Sequence, residues 1–272
     1  MKTNKIERKG RMPIVVTVIV AISFLGVGAV ICYDKLKDIY LEQCVIADMA
    51  KQVSITSGKM VKADVIAENL GLRKGANLAT IDFSEKRREL LAKVPNLRSI
   101  RISRQLPDKV SVVAEERTPV ARLGLVKTQD PSGRVVDAEG MVFIWQRGTQ
   151  TLPLIRETQV PGTPRGSCIK GRTLAALRFV EACHEAEFLE LGLLEVDTTK
   201  HDFLIATLGN YSKLKILWDG MDNPSPTSES AADLKKRLTQ FRDAFRARVV
   251  PNAVIWNATI PDRIFLDTQE KL

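Results

Sequence analysis

The chain has 272 residues, of which 44% are apolar and 27% are charged, and its formal net charge is +9. This length is enough for one or two folded domains. Nearly half of the net charge lies within residues 1–13, where five Lys and Arg residues and one Glu give +4, so the charge gives little support to nucleic-acid binding and no nucleic-acid partner is expected.

An uncharged, mostly apolar stretch, residues 14–33, follows this basic segment. Twenty residues at a helical rise of about 1.5 Å each cover about 30 Å, the thickness of the hydrocarbon core of a bilayer. A cleaved signal peptide is the main alternative, but its apolar core is usually about 7–15 residues long. Tyr33 and Tyr40 suit the membrane interface, where tyrosine is enriched. The sequence therefore predicts a retained transmembrane helix at residues 14–33.

The basic residues are distributed unequally about this span. Only two lysines follow it closely, and they alternate with Asp34 and Asp38. The positive-inside rule therefore predicts that residues 1–13 form a cytoplasmic tail and that residues 34–272 are exported. Residues 34–47 are expected to continue as a helix or stalk.

The next segment, residues 48–117, has the pattern strand, helix, helix, strand, strand. A first strand is predicted near residues 49–55. In the first helix Val65, Ile66 and Leu70 share one face, and a glycine follows where a C-terminal cap would fall. Asp82 or Ser84 can cap the second helix. The last two strands form a hairpin about the turn "QLPD", so this segment is expected to be a small sheet covered by two helices.

The remaining segment, residues 118–272, is strand-rich and contains two predicted helices. One runs from Arg172 to about Glu190. The other runs over residues 230–249, with an apolar stripe that includes Leu234, Leu238, Phe241 and Phe245. The fold class is therefore α+β: one transmembrane helix, a βααββ domain, and a mixed β-domain with two flanking helices.

The opposite face of the helix at residues 230–249 is basic. A solvated surface is the preferred interpretation of this charge. The functional alternative is contact with anionic lipid headgroups or with an acidic partner.

No residue pattern in the chain is typical of a catalytic or metal site. His184 and His201 are the two histidines, and neither belongs to an HExxH or CxxC motif. A triad assembled from residues distant in sequence remains open. We expect no catalytic residues, no cofactor, no metal and no small-molecule substrate. Cys168 and Cys183 are candidates for a disulfide, but buried free thiols are preferred because no dense cysteine framework accompanies them.

Two further segments are singled out by their polarity. The stretch "EERTPVA" joins the hairpin to the second region, and its charged residues suggest a solvent-exposed joint. In the chain-terminal strand "RIFLD", Ile264 and Leu266 should share one face and Phe265 the other. Such a strand is either an ordinary core strand or an edge that accepts a strand from another protein.

The order of these segments resembles that of FtsQ/DivIB, the bitopic cell-division proteins of bacteria. The resemblance is carried by "GLRKGANLATIDF", by "LLAKVPNLRSIRISRQLPDKVSVVAEERTPVARL", and by "VVDAEGMVF" followed by "LPLI". "ERTPVA" matches the stretch that joins the two domains in that family, and Asp137, Gly140 and Phe143 match an Asp-x-x-Gly-x-x-Phe pattern. Near the end, "WNATIPDRIFL" keeps Pro261, Asp262 and Arg263 but has Ile260 where tyrosine is common.

The resemblance implies a POTRA domain at residues 48–117 and a family-type β-domain at residues 118–272. It implies a non-enzymatic scaffold at the division septum that binds FtsB/FtsL-like coiled-coil proteins and helps to recruit and regulate the septal peptidoglycan synthase complex. The partner-binding residues that it implies are Ile260, Arg263, Ile264, Phe265 and Leu266, and the inter-domain joint is Glu116, Arg117 and Pro119. An envelope enzyme acting on peptidoglycan and a POTRA subunit of an outer-membrane assembly machine are the alternatives.

Overall fold

The computed structural model describes residues 29–124, 133–145, 148–157, 162–218, 220–222, 228–247, 254–260 and 262–267. Most of the predicted transmembrane span, residues 14–33, lies outside these ranges, and so does the whole predicted cytoplasmic tail. Residues 29–43 form a helix, α1. No helix within the described ranges is both long enough and apolar enough to cross a bilayer.

The chain divides into two compact units. One unit comprises Met1–Leu90 and Ile100–Ala114, and the other comprises Leu91–Ser99 and Glu115–Leu272. The described elements that follow α1, up to the end of the hairpin, are α2 (Met49–Gln52), β1 (Val53–Thr56), α3 (Ala63–Asn69), α4 (Phe83–Lys93), β2 (Leu97–Gln105) and β3 (Lys109–Glu116).

The first unit has a three-stranded sheet of order β1-β3-β2. β1 runs parallel to β3, with Val53 opposite Val110. Side chains from both helices and from the strands are buried together, as the alternation of apolar residues requires; they include Ile66, Leu70, Leu90, Ile100, Val110 and Val112. The predicted cap of α4 is confirmed, because the Asp82 carboxylate accepts hydrogen bonds from the N–H groups of Ser84 and Glu85.

Two expectations for this unit are wrong in detail. The strand predicted at residues 49–55 begins only at Val53, because the Asp48 carboxylate accepts a hydrogen bond from Ala50 N–H and caps the short helix α2. Val65 is 38% exposed, whereas Ile66 and Leu70 are fully buried. Residues four apart share a helix face, and Val65 is displaced from that face by about 100°.

The elements of the second unit that follow β3 are β4 (Ala121–Gly124), β5 (Arg134–Val136), β6 (Val142–Ile144), β7 (Leu154–Arg156), α5 (Gly171–Cys183), a 3₁₀ turn (Leu189–Leu191), β8 (Glu195–Asp197), β9 (Phe203–Thr207), β10 (Lys213–Leu217), α6 (Ser228–Ala247), β11 (Ile255–Ala258) and β12 (Phe265–Leu266). Its strands form one mixed sheet of order β12-β11-β10-β9-β8-β7-β4-β5-β6. β10 and β11 are parallel, since α6 connects them as a crossover.

Both helices of this unit lie against the same face of the sheet. Alternate strand residues, such as Leu214 and Ile216 on β10, share one buried cluster with Leu177 of α5 and Leu238 of α6. The aromatic part of this cluster is an edge-to-face contact between Phe241 and Trp256, with ring centroids 5.6 Å apart. This packing fixes β10 and β11, the strands on which the C-terminal edge is built.

The helix predicted to reach Glu190 ends at Cys183. The chain then turns so that Phe188 is fully buried, and Glu190 forms an ion pair with Arg246 of α6. All four cysteines are free thiols; Cys44 and Cys183 are buried, but Cys168 is exposed, in contrast to the expectation that it is buried.

Candidate functional site

The two edges of the large sheet differ in how they are covered. At β6, Val142 N–H donates to Ser167 O at 3.0 Å, and Gly166 N–H donates to Val142 O at 2.8 Å. The chain itself therefore occupies the outer side of that strand. At the other edge, none of the described strands pairs with the outer side of β12.

The hydrogen bonds of β12 show which of its backbone groups lie on the open side. β12 runs antiparallel to β11, with Leu266 opposite Trp256 and Phe265 opposite Asn257. Asp267 N–H donates to Ile255 O at 2.8 Å, so the backbone of Asp267 is directed toward β11. In an antiparallel pair, alternate residues form the inter-strand hydrogen bonds. The N–H and C=O groups of Phe265 therefore also face β11, and those of Ile264 and Leu266 face outward.

The side chains of β12 alternate as the sequence predicts. Ile264 and Leu266 are half-buried and pack against the core cluster, whereas Phe265 is 39% exposed. An exposed aromatic ring next to outward backbone groups provides both apolar area and main-chain hydrogen bonding to an added strand. The described surface thus has the features that strand addition requires.

The turn between β11 and β12 presents the other two predicted partner residues. Ile260 is 46% exposed, and Arg263 is exposed as well. The turn begins with the Asn257 side chain, whose Oδ1 accepts hydrogen bonds from Thr259 N–H and Oγ1–H. Asp262 has a φ of +56°, a left-handed conformation that Asp adopts more readily than most residues.

Asp262 connects this turn to α6. Its carboxylate lies 2.8 Å from Lys236 Nζ and accepts a hydrogen bond from Gln240 Nε2 at 3.3 Å. The hydrogen bond from Lys236, followed by that from Gln240, lowers the pKa of Asp262 below its usual value. The turn is therefore attached to the helix as long as Asp262 is ionised.

The basic face of α6 is neutralised by carboxylates. Each of the following cations forms an ion pair with at least one acidic side chain: Lys235, Lys236, Arg237, Arg242 and Arg246. The hydrogen bonds that Lys235 donates to Glu185 and Glu187 raise the pKa of Lys235. These pairs favour the solvated-surface interpretation over binding to lipid headgroups or to an acidic partner.

The predicted joint residues lie at the end of β3 and just beyond it. Glu116 is the last residue of β3, and Pro119 is half-buried before β4 begins. Arg117 does not lie in an exposed corner, because its side chain is only 14% exposed. Its guanidinium forms an ion pair with Asp137 and donates to Pro95 O at 3.1 Å. The expectation of a solvent-exposed joint is therefore wrong at this position.

The Asp-x-x-Gly-x-x-Phe pattern forms a structural turn. The Asp137 carboxylate is 3% exposed and accepts a second hydrogen bond, from Met141 N–H at 2.8 Å. Gly140 has a φ of +82°, and a Cβ there would lie 3.3 Å from Ile169 Cγ1. Phe143 is fully buried. Arg117 and this turn thus stabilise one another within the second unit.

The two histidines are exposed. His184 is the C-cap residue of α5, and His201 Nδ1 lies 3.1 Å from the carboxylate of the neighbouring Asp202. Within the described residues, no three His, Cys, Asp or Glu side chains are grouped so that they could hold a metal ion.

Sequence reasoning missed two residues at the edge, Lys215 and Asp267. Lys215 Nζ lies 3.0 Å from Asp267 Oδ2, with side chains 8% and 16% exposed. The available signal was the lysine at the centre of "KLKIL", since lysine is almost never fully buried unless it is paired.

Comparison with known proteins identifies the first domain. The family model described as "POTRA domain, FtsQ-type" matches residues 49–117. The sequence has no significant match among curated proteins. The chain therefore contains an FtsQ-type POTRA domain, which confirms the resemblance over residues 49–117 and is consistent with an FtsQ/DivIB family protein. A domain of this type suggests a scaffold role in cell division that depends on protein–protein interaction.

Proposed function

We propose that this protein is a bitopic divisome scaffold whose β-domain binds an FtsB/FtsL-like coiled-coil protein by strand addition at β12. The observation that carries the proposal is the outward direction of the Ile264 and Leu266 backbone groups, next to the exposed ring of Phe265. Main-chain pairing would supply affinity, and the side chains of Ile260, Arg263 and Phe265 would supply specificity.

The two predicted domains have different proposed roles. The POTRA domain, residues 48–117, would serve recruitment, and the β-domain, residues 118–272, would hold the partner and through it the septal peptidoglycan synthase complex. We propose a scaffold without catalytic activity. The FtsQ-type domain supports this proposal, since that family acts through protein contacts.

The proposed location is the bacterial inner membrane at the division septum, with the N-terminus in the cytoplasm and both domains outside it. Support comes from the apolar sequence of residues 14–33 and from its described end, where Val30 and Ile31 are 60% and 56% exposed on α1. Apolar side chains exposed in this way are stabilised by lipid.

The test compares two variants at one position of the edge. Leu266→Pro removes the outward N–H, and Leu266→Ala removes the same side chain but keeps that N–H. An unformed hydrogen bond at a buried interface costs about 1–3 kcal/mol, so we expect Leu266→Pro to bind the FtsB-type protein of the same organism about tenfold more weakly than Leu266→Ala. Affinities are measured by calorimetry on the full chain in detergent.

A second pair of variants controls for surface chemistry. Phe265→Glu places a charge on the proposed interface, whereas Tyr211→Glu places one on a side chain that is 70% exposed in the turn between β9 and β10. Only Phe265→Glu should abolish binding. If Leu266→Pro and Phe265→Glu both bind as tightly as the wild type, β12 is not the partner site.

A further inference from the structure

The sequence of β12 does not by itself specify the register in which this strand pairs with β11. Among the described residues, Phe265 and Leu266 pair with β11 and Asp267 adds one hydrogen bond to Ile255, and the sequence of Ile264-Phe265-Leu266 is apolar at every position. A slip of one residue turns every side chain of a strand to the other face. Because both faces of β12 would still present apolar side chains, burial alone discriminates weakly between the two registers. The slip would also turn the N–H and C=O groups of Ile264 and Leu266 toward β11 and those of Phe265 outward.

A buried ion pair can form in the observed register of β12 but not in the slipped register. Lys215, Asn257 and Phe265 stand opposite one another on β10, β11 and β12. Asp267 is two residues beyond Phe265 and therefore lies on the same face of the sheet as Lys215. The ammonium group of Lys215 reaches past β11 to within 3.0 Å of the Asp267 carboxylate.

Because this ion pair is buried, it favours the observed register of β12 over the slipped register. The Lys215 side chain is 8% exposed, and its ammonium group lies 5.6 Å from the centroid of the Phe203 ring. In the slipped register, Asp267 would be turned to the opposite face and could not pair with Lys215. Separating two charges in a desolvated site is strongly unfavourable, and buried polar pairs are known to fix register in other folds.

We propose that Lys215 is a positioning residue that fixes the register of β12 through Asp267, so that the backbone of Ile264 and Leu266 faces an incoming strand. This inference rests on the proposed function for its biological role, but its structural part is independent of any partner. Asp262 and its contacts to α6 hold the other end of the same segment, so Lys215 acts on the C-terminal end of β12.

The register is measured by the reactivity of a single cysteine at position 265 or 266 in the full chain. In detergent, Phe265→Cys should react with a maleimide about tenfold faster than Leu266→Cys, because the side chain at position 265 is exposed whereas the side chain at position 266 packs against the core cluster. Labelled peptides are identified by mass spectrometry, so the native cysteines do not interfere. Adding Lys215→Met should bring the ratio of the two rates close to one or invert it, whereas Lys215→Arg should preserve it.

An unchanged ratio in Lys215→Met would overturn the inference. If Lys215→Met fails to fold, the double variant Lys215→Met/Asp267→Leu removes both charges of the pair together, and the same change in the ratio is expected. Binding of the FtsB-type protein is then measured on the Lys215 variants. A changed ratio with unchanged binding supports the register role and refutes strand addition at β12, whereas lost binding with an unchanged ratio refutes the register role.

Discussion

The ion pair between Arg117 and Asp137 allows a quantitative prediction about the stability of the second unit. Arg117→Ala would leave the Asp137 carboxylate, 3% exposed, with Met141 N–H as its described hydrogen-bond donor. Removing one partner of a buried pair typically costs about 3–5 kcal/mol. A domain has a total free energy of unfolding of about 5–15 kcal/mol, so this single change should remove a large part of it.

Arg98 provides the matched control, since it is another arginine of the same unit that pairs with a carboxylate. Its side chain is 53% exposed and that of its partner Glu139 is 47% exposed. An exposed pair contributes about 0–1 kcal/mol, so Arg98→Ala should change the free energy of unfolding by that amount at most. Arg117 also lies 3.7 Å from Glu139, so the difference between the two variants reports the burial of the Asp137 pair together with this exposed contact.

The assay is urea unfolding of the full chain in detergent, followed by tryptophan fluorescence, to which Trp256, 1% exposed, contributes together with Trp145 and Trp218. The slope of the free energy of unfolding against urea concentration should be the same in all variants, so that a shift in the unfolding midpoint reports a change in stability. The double variant Arg117→Met/Asp137→Leu removes both charges but also the acceptor of Met141 N–H, so its stability should lie between that of Arg117→Ala and that of the wild type. If Arg117→Ala and Arg98→Ala are destabilised equally, the interpretation of Arg117 as a buried structural residue is refuted.

Two further predictions concern titratable groups. Because Lys236 lowers the folded-state pKa of Asp262, the stability that this contact adds is present above about pH 4 and is lost as the pH falls through the lowered pKa. The difference in the free energy of unfolding between the wild type and Asp262→Asn should therefore vanish in acid. A difference that does not change with pH would contradict this prediction. Burial raises the pKa of the Cys183 thiol to about 12, so at pH 8 a thiol reagent should modify exposed Cys168 and leave Cys183 unmodified until the protein unfolds, as peptide mapping would show.

The elements predicted best are those specified by neighbouring residues. Ile66 and Leu70 are four apart and predict the buried face of α3, Asp82 predicts the start of α4, and the alternation about Phe265 predicts which side chains of β12 are exposed. Each of these depends on interactions within one turn of helix or along one strand.

The predictions that failed depend on residues far apart in the chain. Arg117 looked like part of a solvated corner because the sequence does not show that Asp137, twenty positions away, is buried beside it. The helix expected to reach Glu190 ends earlier because the following segment packs onto the core and pairs with α6. Neither contact has a local signature.

The sequence by itself determined the order of most helices and strands, the faces that most of them bury, and that the first domain resembles an FtsQ-type POTRA domain. The tertiary structure alone decided the order of strands in the large sheet, which edge the chain covers, and which backbone groups of β12 face outward. The physical reason is that side-chain periodicity is a property of a segment, whereas strand pairing and the burial of a charge depend on which distant residues meet. The pairing of Lys215 with Asp267 across β11 is of the second kind.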